Sequence, residues 1–205
     1  MKKESNNIVG LVITVTIIVV LSILVGSLLR KPFEPKVQTE TFNGFEFNKI
    51  GNFWYTAIRN PILNEEYEVD FRYSPSEVRD IPVIGDPNQF FKLLELNQLN
   101  AAYFTFNPLD NLTYMSLVSA DLAKLLKTIN GVTLIPACTL NETEPCQKRQ
   151  ILTCQSQEGK SVVIYAKHSN TTSITMEKNC LTLQGSGEDL LRAKDKLFFI
   201  WYGIL

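Results

Sequence analysis

A single histidine, His168, serves a chain of 205 residues. One imidazole cannot build an HExxH zinc site or any multi-histidine metal centre. No G-x-S-x-G occurs, and the polar loop KHSNTT holds no nucleophile motif, so an exposed loop histidine is favoured over a triad member. Net charge is also lacking: 20 Lys+Arg stand against 21 Asp+Glu, for −1 at neutral pH. That balance gives no electrostatic case for a nucleic-acid partner or an anionic membrane surface. Cysteine is missing before position 138, and no pair has the C-x-x-C spacing of a zinc ribbon or a thioredoxin motif. There is no internal repeat and no low-complexity run. Neither a cofactor nor a metal is expected.

What the chain does have is one long apolar run near its start. Residues 8–29, IVGLVITVTIIVVLSILVGSLL, hold no charged residue and no Asn, Gln or Pro, and sixteen of the twenty-two are Ile, Leu or Val. As a helix the run is roughly 33 Å long, enough for a hydrocarbon core of about 30 Å. Its insertion is favourable by roughly 5–10 kcal/mol. The hydroxyls of Thr14, Thr16 and Ser22 can bond back to the same helix. The rival is a cleaved signal peptide, with Lys2 and Lys3 as its basic region and Val25-Gly26-Ser27 as its cleavage site. An apolar core longer than the usual 7–15 residues favours retention. Residues 1–7 are then a cytoplasmic N-terminus, 8–29 a transmembrane helix contacting membrane lipid, 30–38 a Pro-stiffened stalk, and 39–205 a single extracytoplasmic domain.

Flanking charge leaves the orientation a near tie, so the cysteines decide it. Cys138, Cys146, Cys154 and Cys180 are even in number and lie outside the apolar run. They favour two disulfides in an oxidising compartment. Three connectivities exist; the preferred one is Cys138–Cys146, closing the loop TLNETEP, with Cys154–Cys180 pinning two strands. Asn111, Asn141 and Asn170 begin N-x-S/T triplets in turn-like surroundings, where a glycosylation acceptor would have to be. With fourteen Asn after residue 30, about two such triplets arise by chance, so they are consistent with an outside location without proving it.

The domain reads as α+β: a mixed sheet with an N-terminal β-meander, one βαβ unit and a C-terminal helix. Asn43-Gly44 between alternating aromatics signals a tight hairpin, and Gly51-Asn52 a second turn. Residues 66–73 alternate Tyr67, Val69, Phe71 and Tyr73 against Glu66, Glu68, Asp70 and Arg72, a strand with one buried face. Pro75 and Pro82 mark a loop. Asp86-Pro87 opens a short helix through about Leu96, with Asp86 as its cap. Residues 101–106, apolar on both faces, suit a central strand. Leu112, Met115, Val118, Leu122, Leu125, Leu126 and Ile129 recur at helical spacing until Gly131, and VTLIPA follows as a strand. That order implies a βαβ crossover with a parallel pair. Short strands QILT, SVVIYA, SITMEK and CLTL come next. Ser186 then caps a last helix, with Asp189 at its capping-box position and Leu190, Ala193, Leu197, Trp201 and Ile204 packing inward.

The run FNGFEF, NFWYT, TFNP, the amphipathic helix, PACTLNETEPC, ILTC, CLTLQG and WYGIL resembles a group of small single-pass archaeal membrane proteins with a Cys-containing ectodomain. The resemblance covers nearly all of the region after the stalk. It implies a prokaryotic envelope setting and brings no catalytic residue with it.

Candidate chemistry is thin. Gly159-Lys160-Ser161 mimics the end of a phosphate loop, but the first Gly position is Cys154 and a strand follows, so an ordinary turn is expected. Gly185-Ser186-Gly187 could receive an anion at a helix start, though a simple cap is the better reading. Glu65, Glu66, Glu68 and Asp70 could supply a carboxylate pair for hydrolysis, but alternating strand charges usually mark a solvated face. Phe53, Trp54 and Tyr55 could stack on a sugar if exposed, whereas such rings more often form the core of a meander. The leading expectation is a non-enzymatic, membrane-anchored extracytoplasmic domain that binds or organises something at the cell surface: another envelope protein, a glycan or a copy of itself. The alternative is an extracytoplasmic hydrolase using carboxylates. Two convergent acids in a concave pocket would favour the enzyme.

Overall fold

The computed structural model describes residues 15–25, 37–60, 63–155 and 161–205. Two units result, Met1–Lys36 and Val37–Leu205. In the first, residues 15–25 are helical and exposed, and we label them α1. Ser22 donates its hydroxyl to the Ile18 carbonyl one turn back, as an apolar setting would demand. Among the described residues no helix is long and apolar enough to cross a membrane. The rest of the span expected over 8–29, residues 1–7 and stalk residues 30–36 lie outside the described residues, as do Gly159 and Lys160.

The second unit begins with the expected meander. β1 (Gln38–Phe42), β2 (Phe45–Ile50), β3 (Phe53–Arg59) and β4 (Glu66–Phe71) pair antiparallel in chain order. At the first turn Asn43 and Gly44 both have positive φ, 46° and 86°, the backbone that a two-residue hairpin requires. On β4, Val69 and Phe71 are buried while Glu66 and Glu68 are exposed, so the alternation read from the sequence sets the face. The expectation of one mixed sheet needs correction. The meander is a sheet of its own, and a separate six-stranded sheet runs in the order β5-β9-β10-β8-β6-β7.

That larger sheet holds β5 (Val83–Ile84), β6 (Ala101–Phe106), β7 (Thr133–Pro136), β8 (Val163–His168), β9 (Ser173–Glu177) and β10 (Cys180–Gly185). β6 pairs parallel with β7 and with β8, and α4 (Leu112–Asn130) joins β6 to β7, giving the expected βαβ unit. Gly131 ends α4 at φ 70°, and its N–H donates to Lys127. QILT makes only a single bridge, Ile151 to Cys138, rather than a strand.

Four helical segments also differ from expectation. The segment at Pro75 is a helical turn, α2 (Pro75–Val78), because the Ser74 N–H finds the Glu77 carboxylate at 2.7 Å. α3 (Gln89–Leu96) is capped at Asn88, while Asp86 accepts from the Asn88 N–H and the Lys92 ammonium, both at 3.0 Å. A short helical turn, α5 (Glu144–Gln147), lies inside the Cys138–Cys146 loop. α6 (Glu188–Trp201) starts from Gly187 at φ 58°, and Ser186 contributes its carbonyl instead of its hydroxyl.

α6 joins the two sheets. Leu190, Ala193, Leu197, Trp201 and Ile204 are buried as expected, but so are Leu191, Lys194, Asp195, Phe198 and Phe199 on the remaining faces. Phe199 packs 5.6 Å from Phe47 and 4.7 Å from Phe71, ring to ring, so the helix seals the meander. Its other face packs on β9, β10 and α4. A helix buried on nearly every face, charged residues included, is a central element rather than a surface one.

Candidate functional site

The C-terminal end of β6 leads through Asn107-Pro108 into α4, and the end of β7 leads into the disulfide-closed excursion. These two exits diverge and leave a cleft of about 440 Å³ between α4 and α5. One wall is a stripe on α4. Leu112, Ser116, Ser119, Ala120 and Ala123 repeat at three and four residues, beside the core-facing stripe of Met115, Val118 and Leu122. Side chains this small leave the helix surface bare, which makes the groove. Pro136, Thr143, Pro145, Cys146 and Arg149 form the opposite wall, with Phe106 and Pro108 at its base.

The far wall is fixed at several points. Cys146 is bonded to Cys138. The Cys138 N–H donates to Gln150 at 3.0 Å and its carbonyl accepts from the Leu152 N–H at 2.8 Å. Leu152 in turn accepts from the buried Thr105 hydroxyl at 2.8 Å. The cleft contains no acid. Its one cation, Arg149, has no carboxylate partner among the described residues, whereas Glu144 next to it is engaged by Lys148 at 3.8 Å. The Ser116 hydroxyl is committed to the Leu112 carbonyl at 2.6 Å.

A second hollow of about 770 Å³ adjoins the Cys154–Cys180 disulfide, lined by polar groups including Gln89, Thr175 and Glu177. It borders Gln155, after which the chain leaves the described residues, and it holds a single acid. A small recess of about 130 Å³ at the start of α6 gathers His168, Asn111, Tyr114 and Ser186. The acidic first turn of α6, Glu188 and Asp189, opposes an anion there.

Both preferred disulfides, Cys138–Cys146 and Cys154–Cys180, are formed, and no cysteine is free. Asn111, Asn141 and Asn170 are all exposed; Asn111 also caps α4, accepting from the Thr113 N–H at 3.1 Å. The aromatic trio does not form an exposed patch. Trp54 is 2% exposed and donates its indole N–H to Glu77 at 3.1 Å, Phe53 lies under the Arg72 guanidinium, and Tyr55 is half-buried. Of the three only Trp54 joins the core; Phe53 and Tyr55 point to the opposite, half-exposed face of β3.

The β4 acids do not converge either. Glu65 accepts from Tyr67, Glu66 pairs with Arg59 at 3.0 Å, and Asp70 pairs with Lys124 at 2.9 Å. Among the described residues no cluster of three metal-binding side chains occurs. The strongest electrostatics lie under α6. Lys194, 1% exposed, reaches Asp121 at 2.8 Å and Asp195 at 2.5 Å. Asp195 also accepts the N–H groups of Arg72 at 2.9 Å and Tyr73 at 3.0 Å. Burial would lower Lys194, but the two carboxylates outweigh it and hold its ammonium above the usual lysine range. Burial and the Glu188 carboxylate push the Tyr73 phenol up to about 12, and burial raises Tyr202 further. Buried at Lys194 and Asp195 and reaching the surface at Asp121, this network is architecture that ties α6 to the end of β4 and to α4.

Sequence reasoning missed the cleft. The signal was there in Ser116, Ser119, Ala120 and Ala123, four small residues on one helical stripe flanking the core face. Comparison with known proteins matched no family model, no curated protein and no solved structure.

Proposed function

We propose that the chain is a membrane-tethered binding domain working outside the cytoplasm, with its ligand held in the cleft between α4 and α5. The cleft itself carries the reading: about 440 Å³, within the roughly 300–1,000 Å³ of small-ligand pockets, apolar, walled by a disulfide and lined by no acid. Residues 8–29 serve as the tether, on the strength of their length and freedom from charge. Both disulfides fit an oxidising side of that membrane. The hydrolase alternative draws no support from acids that are already paired or solitary.

Native mass spectrometry of the full chain released from its own membranes tests the site. The wild type is expected to carry one non-covalent adduct and Ala120→Trp, which fills the groove from an exposed position, none. An adduct-free wild type, or equal adducts on both, ends this reading. Intact cells treated with a membrane-impermeant maleimide test the topology: labelling is expected only after an impermeant reductant. Thiols found free in unreduced, lysed cells would place the domain on the other side.

A further inference from the structure

We infer that the cleft receives a single-chain amphipathic carboxylate, its alkyl chain along the bare stripe of α4 and its head at Arg149. The inference rests on the cleft being the binding site and adds the class of ligand. Three observations carry it. First, the groove is mainly apolar, with Leu112, Ala120 and Ala123 on one side, Pro136 and Pro145 on the other, and the Ser116 hydroxyl turned back onto its own helix, so a hydrocarbon chain gains most there. Second, the lining is charged in one place only, and Arg149 meets no carboxylate among the described residues. A guanidinium accepts a carboxylate through two parallel N–H bonds. One cation balances a monoanion, whereas a phosphate monoester at about −2 would leave charge uncompensated.

Third, the geometry disfavours the other occupants. β7 is an edge strand, but its outward-facing positions are Leu134, Pro136 and Cys138. Pro136 has no N–H, and the Cys138 N–H and carbonyl are already taken by Gln150 and Leu152. An added peptide strand would find almost no ladder there. A sugar would need several directed polar groups and a flat ring, and Phe106 is the one aromatic in the lining.

The full chain in phosphatidylcholine nanodiscs tests this with 11-(dansylamino)undecanoic acid as fluorescent probe, laurate, dodecanol and dodecyl phosphate as competitors, and empty nanodiscs as background. Saturable one-site binding is expected, with laurate displacing the probe. Arg149→Ala and Arg149→Gln should each weaken laurate about tenfold while leaving dodecanol unchanged, the size expected for a charged hydrogen bond. Ala120→Trp should abolish displaceable binding. Disulfide content and circular dichroism of each variant confirm folding. Dodecanol equal to laurate, indifference to Arg149, or dodecyl phosphate ten times tighter than laurate overturns the carboxylate. If laurate fails while the native adduct still distinguishes wild type from Ala120→Trp, the ligand class is wrong and the site stands. If neither binds, both fall.

Discussion

Lys194 and Arg149 are cations treated in opposite ways by one fold. Lys194 lies on the helix that joins two sheets, 1% exposed, and two carboxylates meet it. Arg149 lies beyond a disulfide at the domain's edge, half-buried, with no acid in reach among the described residues. Around Lys194 the fold supplies two counter-charges, while Lys196 on the same helix is met by the Arg79 and Ile81 carbonyls; at Arg149 the described residues supply neither. An uncompensated charge is tolerable only where solvent or a ligand can complete it. The contrast separates architecture from function more sharply than the kinds of residue involved.

Breaking the buried side of this contrast should give the largest effect. Asp195→Ala removes a partner of Lys194 and strands the N–H groups of Arg72 and Tyr73. A loss of about 3–5 kcal/mol is expected in urea denaturation; a loss near zero would mean the network does not hold the sheets together. The disulfides come next. Cys154–Cys180 spans 26 residues and Cys138–Cys146 spans 8. Loop entropy predicts contributions of about 3.5 and about 2.5 kcal/mol. Thermal melts of Cys154→Ser and Cys146→Ser should differ accordingly, and equal losses would count against loop closure as the cause.

Alkaline pH should act through the phenols that pack beside α6. The raised phenols of Tyr73 and Tyr202 stay protonated in the fold while the unfolded chain ionises near pH 10. Their stabilisation is complete below pH 10 and is lost as pH rises toward about 12, where Tyr73 itself titrates. Tm should fall across that window, and Tyr202→Phe should flatten the fall. It should also cost about 1 kcal/mol at neutral pH through the lost 2.8 Å bond to Asn130. The smallest effect is at the cleft: Ala123→Leu should move stability by no more than about 0.5 kcal/mol, because the groove wall is not packed. A large loss there would show that the groove is part of the core.

Local rules read much of this fold correctly. Asn43-Gly44 dictated a hairpin, alternation on β4 dictated its buried face, and the three-four recurrence on α4 dictated its extent. The polar loop between Cys138 and Cys146 indicated the first disulfide, and the second, expected to pin two strands, joins Cys180 on β10 to Cys154, where no strand forms. Local reading missed the turn at Pro75, the cap at Asn88 and the lack of a strand at QILT, and the larger differences came from packing between distant elements. The pattern on α6 showed one apolar face and gave no sign that Lys194 and Asp195 are buried, because their partners, Asp121 and the backbone of Arg72 and Tyr73, are far away in sequence. For the same reason the division into two sheets was invisible, since a buried helix between them looks like any amphipathic helix until both neighbours are known. Trp54 is expected in the core of the meander more than on a sugar-stacking surface; it is 2% exposed, with its N–H on Glu77, a partner the sequence did not indicate.

The position of α6 in the chain also sets the order of assembly. It follows every strand it joins, so a growing polypeptide has all ten strands before it has the piece that covers Phe47 and Phe71. Until that helix is made, those rings face water or whatever else is near. The meander can bury that face only once the helix that follows all its strands has been made.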